Sequence, residues 1–397
     1  MDLDLVFLGT SASMPTALRA PAAFLVRRGG ERLLFDCAEG TQRQLQRSSV
    51  GLPDLEEIFL THFHADHFLG LPGMLKTFAL RGREEPGVTV YGPSGLRDLF
   101  SRLKPFLGRL PYPLTTVELA PGEVLERGDY RIETFAVDHG VAAVGYALVE
   151  QARPGRFDVE AADALGVPPG RERGQLQQGE PVTLAGGAVV APDAVLGPPR
   201  PGRKIVLTGD TAPAPSVVQA AYRADLLVHD ATFANEEKER ARETLHATAA
   251  EAAEVARLAE VRLLALTHVS TRYFGSELVR EAREIFPETV VPRDFDVIEV
   301  PFPERGAPEL VKGGARGRRP SPYDQPAMTR MVQVAVAGDV TEAEELQEIL
   351  RNAGIEAELE AAGADDPLTV VVPEAELEAA QDAIEALSEP DEIISEP

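Results

Sequence analysis

The sequence predicts a two-domain α/β (α+β) protein, with sheets packed between helices over residues 1–302 and a small acidic β-α-β-β-α unit over 331–390. Three observations predict it. At 397 residues the chain is longer than a single hydrophobic core usually serves. Short β-rich runs alternate with helical patterns through residues 1–302, the mark of mixed layers. That alternation stops at a Pro-, Gly- and Arg-rich stretch and then restarts.

Taken in order, residues 4–9, 57–60, 88–91 and 204–207 are short β-rich runs and read as strands. Residues 131–137 alternate well enough for a half-buried strand. Segments 94–103, 247–259 and 276–285 carry helical spacing. Residues 150–200 break the pattern. They are rich in Gly, Pro and Gln, with helical-looking turns around 158–165, and so long a break inside a domain is functional or disordered. Residues 303–330, with six basic and three acidic side chains, read as a linker. Beyond it, 332–336, 355–359 and 368–372 read as strands and 341–352 and 374–387 as helices. Residues 388–397 read as a frayed tail.

A composition of 44% hydrophobic and 26% charged residues places the chain among ordinary soluble globular proteins. No run of 18 or more apolar residues occurs, so no membrane partner is expected. The start, Met1-Asp2-Leu3-Asp4, lacks a basic region and enters a strand directly, which speaks against a signal peptide. The one cysteine, Cys37, excludes an internal disulfide and fits a reducing cytoplasm. It sits in an apolar run and reads as a small buried hydrophobe.

A net charge of −25 looks hostile to nucleic acid, but its distribution is uneven. Residues 331–397 carry 19 acidic side chains and one basic one, Arg351, a net charge of −18. The remaining residues, 1–330, carry only −7.

Chemistry concentrates in Leu60-Thr61-His62-Phe63-His64-Ala65-Asp66-His67. A hydrophobic strand ends near Thr61 and a helix begins near Asp66, so four ligand-type side chains gather at one strand end. Neutral imidazoles and carboxylates suit zinc-class ions. The plain alternative is a polar loop without metal. Three of the chain's seven histidines within six residues, interleaved with an aspartate, weigh against it. The same context recurs: His139 follows the run ending at Val137-Asp138, Asp210 follows Thr208-Gly209, and His268 follows Leu266-Thr267. Each alone reads as a cap or a satisfied core group; the repetition makes them further candidate ligands.

His-x-His-x-Asp-His is the signature of the metallo-β-lactamase superfamily, and the wider set resembles the ribonuclease Z family over residues 1–302. The supporting motifs are Gly9-Thr10, Asp36-Cys37-Ala38-Glu39-Gly40-Thr41-Gln42, Thr208-Gly209-Asp210-Thr211, His229-Asp230-Ala231-Thr232-Phe233 and Leu266-Thr267-His268-Val269-Ser270-Thr271-Arg272-Tyr273. This resemblance implies a four-layer αββα sandwich with metals at one edge of the sheets. It implies two zinc ions per subunit, with manganese or magnesium as other candidates. His62, His64 and His139 would hold one ion, Asp66, His67 and His268 the other, and Asp210 would bridge them. It also implies a homodimer acting as an endoribonuclease on precursor tRNA, removing the 3′ trailer and leaving a 3′-hydroxyl. The alternative is a phosphodiesterase of the same fold acting on small or cyclic esters.

Under that resemblance Asp66 orients or deprotonates the attacking water, with pure ligation as its alternative. His246, in Leu245-His246-Ala247-Thr248, is the candidate general acid, with a helix-start cap as its alternative. His229 reads as a buried supporting residue and Asp230 as the group orienting His246. The break at 150–200 resembles the family's tRNA-gripping flexible arm, with Gly170, Arg171, Arg173 and Gly174 as its contact residues. Gln175, Gln177 and Gln178 stand where the arm usually has lysines, which weakens phosphate gripping. Pro15 and Arg19 match the family's substrate loop, whereas Ala17 and Ala20 replace its Lys and Asn. The C-terminal unit weakly resembles small bacterial tail domains and contains no ligand cluster.

Overall fold

The computed structural model describes residues 2–52 and 55–313, and beyond them the strands at 331–337, 358–360 and 368–373 with scattered single positions. The chain divides into two units, Met1–Arg318 and Arg319–Pro397.

In the first unit the strands are β1 (Leu3–Gly9), β2 (Ala23–Arg28), β3 (Glu31–Phe35), β4 (Glu57–Phe59), β5 (Val88–Gly92), β6 (Leu114–Glu118), β7 (Val124–Glu126), β8 (Tyr130–Ala136) and β9 (Val144–Glu150). They continue with β10 (Val182–Thr183), β11 (Val189–Val190), β12 (Lys204–Leu207), β13 (Leu226–Asp230), β14 (Leu264–Thr267), β15 (Thr289–Val290), β16 (Val297–Glu299) and β17 (Glu309–Val311). The helices are α1 (Thr41–Arg47), α2 (Ala65–Phe68), α3 (Gly70–Leu80), α4 (Leu96–Leu107), α5 (Val159–Ala164), α6 (Arg171–Gln177), α7 (Pro215–Ala221), α8 (Lys238–Thr244), α9 (Ala249–Leu258) and α10 (Gly275–Arg283).

One sheet runs β17-β16-β1-β2-β3-β4-β5-β6 and the other β15-β14-β13-β12-β9-β8-β7. Period-two alternation decides the layering. On β1, Leu5 and Phe7 point between the sheets, where they meet Phe59, Tyr146, Leu207 and Val228. Val6 and Leu8 point to the opposite face, onto Leu45 of α1, Met74 and Phe78 of α3, and Phe100 of α4. The second sheet does the same: Val206, Leu227 and Leu264 lie against α7, α9 and α10. Both faces of both sheets are covered, which makes the four-layer αββα sandwich. The two sheets mix parallel and antiparallel pairings, and the parallel ones run through helical crossovers such as α9 between β13 and β14. Among the described residues no helix is long and apolar enough to cross a membrane.

Two boundaries differ from the sequence reading. Residues 150–200 contain α5, α6 and the β10–β11 hairpin around their own small core of Ala162, Val167, Leu176, Val182, Val190 and Val195. The sequence concealed this because its apolar residues are too far apart to show a period. Nor does the first sheet end before the stretch read as linker. β17, inside the stretch read as linker, pairs antiparallel with β16 through Ile298–Leu310, and Gly313 N donates to Asp296 Oδ1 at 2.7 Å.

The second unit has an antiparallel sheet ordered β18 (Met331–Ala337), β20 (Leu368–Pro373), β19 (Glu358–Glu360). The middle strand in sequence starts later than 355–359, because Ile355 turns into the core and its N–H donates to Leu350 O at 2.9 Å. Most of the expected helices 341–352 and 374–387, the tail 388–397 and the later linker lie outside the described residues.

Candidate metal centre

The ligand-type side chains converge at the strand ends of the two sheets. β4 delivers Thr61 and the fully buried His62. His64 caps α2 in an extended conformation, and the helix then presents Asp66 and His67. Asp210 comes from the turn after β12. Its neighbour Gly209 has φ 63, and a Cβ there would lie 2.7 Å from Thr61 Cβ. Only glycine brings that turn close enough for Asp210 to reach the histidines of the other sheet. His268 leaves β14 with φ 59, a left-handed conformation that a non-glycine residue adopts only under constraint.

Two ligand sets result. His62, His64, His139 and Asp210 form one; Asp66, His67, His268 and Asp210 form the other. Within each set the donor atoms lie within 4.8 Å of one another, and Asp210 is common to both; among the described residues a third group of the same kind, Asp210, Asp230, His246 and His268, overlaps them. Its Oδ1 stands 3.3 Å from His67 Nε2, and its Oδ2 stands 3.4 Å from His268 Nε2 and 3.8 Å from His62 Nε2.

Supporting hydrogen bonds fix the rings. His67 Nδ1 donates to Asp36 Oδ2 at 2.8 Å, and His139 Nδ1 to Leu245 O at 3.1 Å. The Thr61 hydroxyl donates to Asp36, so its oxygen accepts from His62 Nδ1 at 3.1 Å. The Thr232 hydroxyl donates to Asp230 Oδ1, so it accepts from His268 Nδ1 at 2.7 Å. Four imidazoles are thereby set with Nδ1–H outward and the Nε2 lone pair inward. His62 Nε2 and His67 Nε2 are buried without a hydrogen-bond partner. Inward lone pairs facing carboxylates repel one another unless a cation lies between them. The donor set is that of a divalent-metal site.

Electrostatics agree. Burial disfavours the charged form of His67, yet Asp210 and Asp36 hold its pKa well above the usual histidine range. Burial likewise opposes ionisation of Asp66, but His268 and His67 hold its carboxyl below the usual range. The carboxylates attract positive charge, which a metal ion supplies in place of ring protons.

Beside this floor stands a second assembly. Leu245 ends α8 in a left-handed turn (φ 56), which sends its carbonyl to His139 and swings His246 toward Asp210 and His268. His246 Nδ1 donates to Asp230 Oδ2 at 2.7 Å. Burial lowers the His246 pKa, but buried Asp230 outweighs it and raises the ring to about 9. The hydrogen bond to Asp230 thus favours the charged form of the His246 ring. Its alternative as the cap of α9 goes instead to Thr248, whose hydroxyl accepts from Glu251 N. His229 is fully buried, kept neutral by burial, and its Nδ1 donates to Asp230 O at 2.8 Å.

Known proteins resemble this chain. A model of the metallo-β-lactamase superfamily matches residues 17–150, and one of the β-lactamase superfamily domain matches 161–269. The chain is 46% identical over 304 residues to ribonuclease Z of Methanosarcina acetivorans, covering 76% of this chain and 99% of that protein. It is 49% identical over 307 residues to ribonuclease Z of Haloferax volcanii, covering 76% and 96%. The chain belongs to the ribonuclease Z family. Among solved structures, the short form of human tRNase Z is 27% identical with a TM-score of 0.55, over 75% of this chain and 99% of that one.

Two residues of the ribonuclease Z pattern, Arg19 and Arg173, are held by contacts that the sequence did not suggest. Arg19 is half-buried: its Nη1 donates to Thr10 Oγ1 at 2.6 Å and to Pro292 O at 2.9 Å, while Pro15 is exposed. Asp294 accepts from Ala20 N, the Thr10 hydroxyl and Gln44 Nε2, and burial pushes its carboxyl up to about 6. In the arm, Gly170 and exposed Arg171 open α6 and Gly174 lies within it. Arg173 turns inward instead, donating to Asp163 and to Val167 O. Sequence reasoning gave no role to Asp36, Thr61, Thr232 or Asp294. Asp36, Thr61 and Thr232 stand within motifs already singled out, whereas Asp294 stands in none.

Burial also pushes the fully buried Cys37 thiol up, so it is an inert core residue.

Proposed function

We propose that this chain is a metal-dependent endoribonuclease that removes 3′ trailers from precursor tRNA, leaving a 3′-hydroxyl on the tRNA. The observation that carries the proposal is a carboxylate, Asp210, shared by two ligand sets beside a His246 hydrogen-bonded to buried Asp230, in a chain that matches ribonuclease Z proteins over nearly their whole length. In this reading the cofactor is two zinc ions per subunit, a site that manganese or magnesium can also use. The protein works in the cytoplasm as a homodimer.

His62, His64 and His139 would hold one ion and Asp66, His67 and His268 the other, with Asp210 bridging. When bound, such a pair acidifies water and neutralises charge building on a phosphodiester. Asp66, ionised and beside His268, orients the attacking water. His246 gives its proton to the leaving 3′-oxygen, and Asp230 holds the ring in place and keeps it charged. Thr232 ties that pair to His268, so acid and metal floor keep a fixed spacing. The arm binds the body of the tRNA through Arg171 and the α6 backbone around Gly170 and Gly174. A small cyclic ester would give such an arm no purpose.

The test is direct. Purified protein incubated with a 3′-extended tRNA precursor should cut at one position near the end of the acceptor stem and leave a 3′-hydroxyl. A protein that hydrolyses small phosphodiesters but leaves the precursor intact would overturn the proposal.

A further inference from the structure

The arm leaves the body at Arg153 and returns at Arg200. The two legs pair there: Arg153 N donates to Arg200 O at 2.7 Å and Arg200 N to Arg153 O at 2.9 Å. Further out, Asp158 N donates to Val195 O and Gly197 N to Arg156 O. A Cβ on Gly155 would lie 1.9 Å from Gly197 O, so the legs touch backbone to backbone. The legs pair along the neck, and both that pairing and the neck's direction depend on what holds its root.

Residues 300–304 hold it. The Glu304 carboxylate accepts both terminal nitrogens of Arg153 at 2.9 Å, and Arg200 Nη1 at 3.1 Å. One acid thus ties both legs. The Phe302 ring lies between two guanidinium groups, Arg153 at 3.5 Å and Arg203 at 4.1 Å. Arg203 is buried in the body, where Glu150 accepts its Nε and Nη2 at 2.7 Å each and Val300 O accepts its Nη1 at 3.1 Å. The chain of contacts runs from body core to ring to arm root. A single half-exposed ion pair holds little, but a bidentate pair joined to a cation–π stack fixes a direction as well as a distance.

We infer that Phe302 and Glu304 are positioning residues for substrate binding: they clamp the root of the arm and hold it in the pose that meets the tRNA. The inference rests on the proposed tRNA-binding role of the arm. None of these side chains belongs to the metal floor, so their loss affects binding and not chemistry.

The test uses the full chain with Glu304→Gln and, separately, Phe302→Leu. If release of the root leaves the arm in its binding pose a tenth of the time, KM for precursor tRNA rises about tenfold. The rate constant kcat, hydrolysis of a small activated phosphodiester and the melting temperature should stay at parent values. Amide hydrogen exchange at Asp158 and Gly197 should quicken in both variants, a readout that needs no RNA. Unchanged neck exchange overturns the clamp, whatever the RNA result. Quicker exchange with an unchanged KM overturns its role in binding. A parallel fall in kcat and small-ester hydrolysis would show that these residues maintain the catalytic body instead. A parent protein that never cleaves precursor tRNA would sink the functional proposal, and the exchange result would still decide the clamp.

Discussion

The metal floor and the arm are built by different means. On the floor, four of the histidine rings are held by a second hydrogen bond, and the turns that deliver Asp210 and His268 sit in left-handed backbone. The arm has no such redundancy. A handful of small apolar residues form its core, and a two-legged neck joins it to the body. Cooperative units with small cores open at lower free energy than the main core. The floor is thus built for fixed geometry and the arm for reach, and chemistry and affinity should break independently.

The largest effect tests the floor. Asp210→Ala removes the ligand common to both sets, so most bound metal and all hydrolysis should be lost, on RNA and on small esters alike. Elemental analysis of carefully prepared variant protein checks this, and near-parental metal content would refute the shared-ligand assignment. His246→Ala should slow precursor cleavage by roughly 10²–10⁴, the range of a lost general acid. Metal content should stay intact, since the His246 ring is hydrogen-bonded to Asp230 and lies outside the two sets assigned to the ions. Loss of metal in that variant would reassign the residue.

The arm comes next. Replacing residues 158–195 by a short glycine bridge between the paired legs should abolish precursor cleavage at substrate concentrations that saturate the parent. Small-ester hydrolysis should survive. Equal loss on both substrates would mean that the arm supports the floor and that the two regions do not divide chemistry from affinity.

The same contrast explains what could be read from sequence. Floor residues follow a local rule, a ligand-type side chain directly after an apolar strand, so His62, His64, Asp66, His67, His139, Asp210 and His268 could be named without coordinates. The resemblance to the ribonuclease Z family then suggested a role for His246. What escaped was held by contacts between residues far apart in the chain. Arg19 read as a substrate contact because nothing near it in sequence announces Thr10 or Pro292 as its acceptors. Arg173 read as a phosphate-binding cation because Asp163 looks unrelated ten residues away. The helical turns around 158–165 were legible and form α5, but α6 and the β10–β11 hairpin escaped because the arm's hydrophobic residues are sparse, and β17 looked like linker because three residues carry too little pattern to show a strand.

Asp294 gives a smaller effect, with a definite sign. Its folded pKa of about 6 lies above the ordinary carboxylate value of 3.8. Between those values the folded state keeps a proton that the unfolded state has lost, so this group's contribution to stability falls as pH rises from about 4 to about 6. Asp294→Asn should flatten that part of the melting-temperature profile. An unchanged slope would show that Asp294 titrates normally despite its burial.

The smallest effect concerns the C-terminal unit, and here the end point chosen decides the outcome. The relatives cover only 76% of this chain, and the acidic 331–397 segment lies beyond the ribonuclease-like sandwich. A chain ending after Gly313 keeps β17, the bond from Gly313 N to Asp296, and the Phe302–Glu304 clamp. It should fold and cleave precursor tRNA at least as well as the full chain. Removing a segment of −18 net charge should also raise the association rate for a polyphosphate modestly at low salt. The gain should fade near physiological ionic strength, where screening acts within about 8 Å. A chain ending at Pro303 sheds the same acidic segment but also loses Glu304 and the edge strand. It should therefore show the raised KM of the clamp variants and a lower melting temperature. Stopped-flow association over a salt series separates the two truncations. If the chain ending at Gly313 aggregates, or is slower at every salt concentration, the C-terminal unit is a structural part of the nuclease and not an appendage to it.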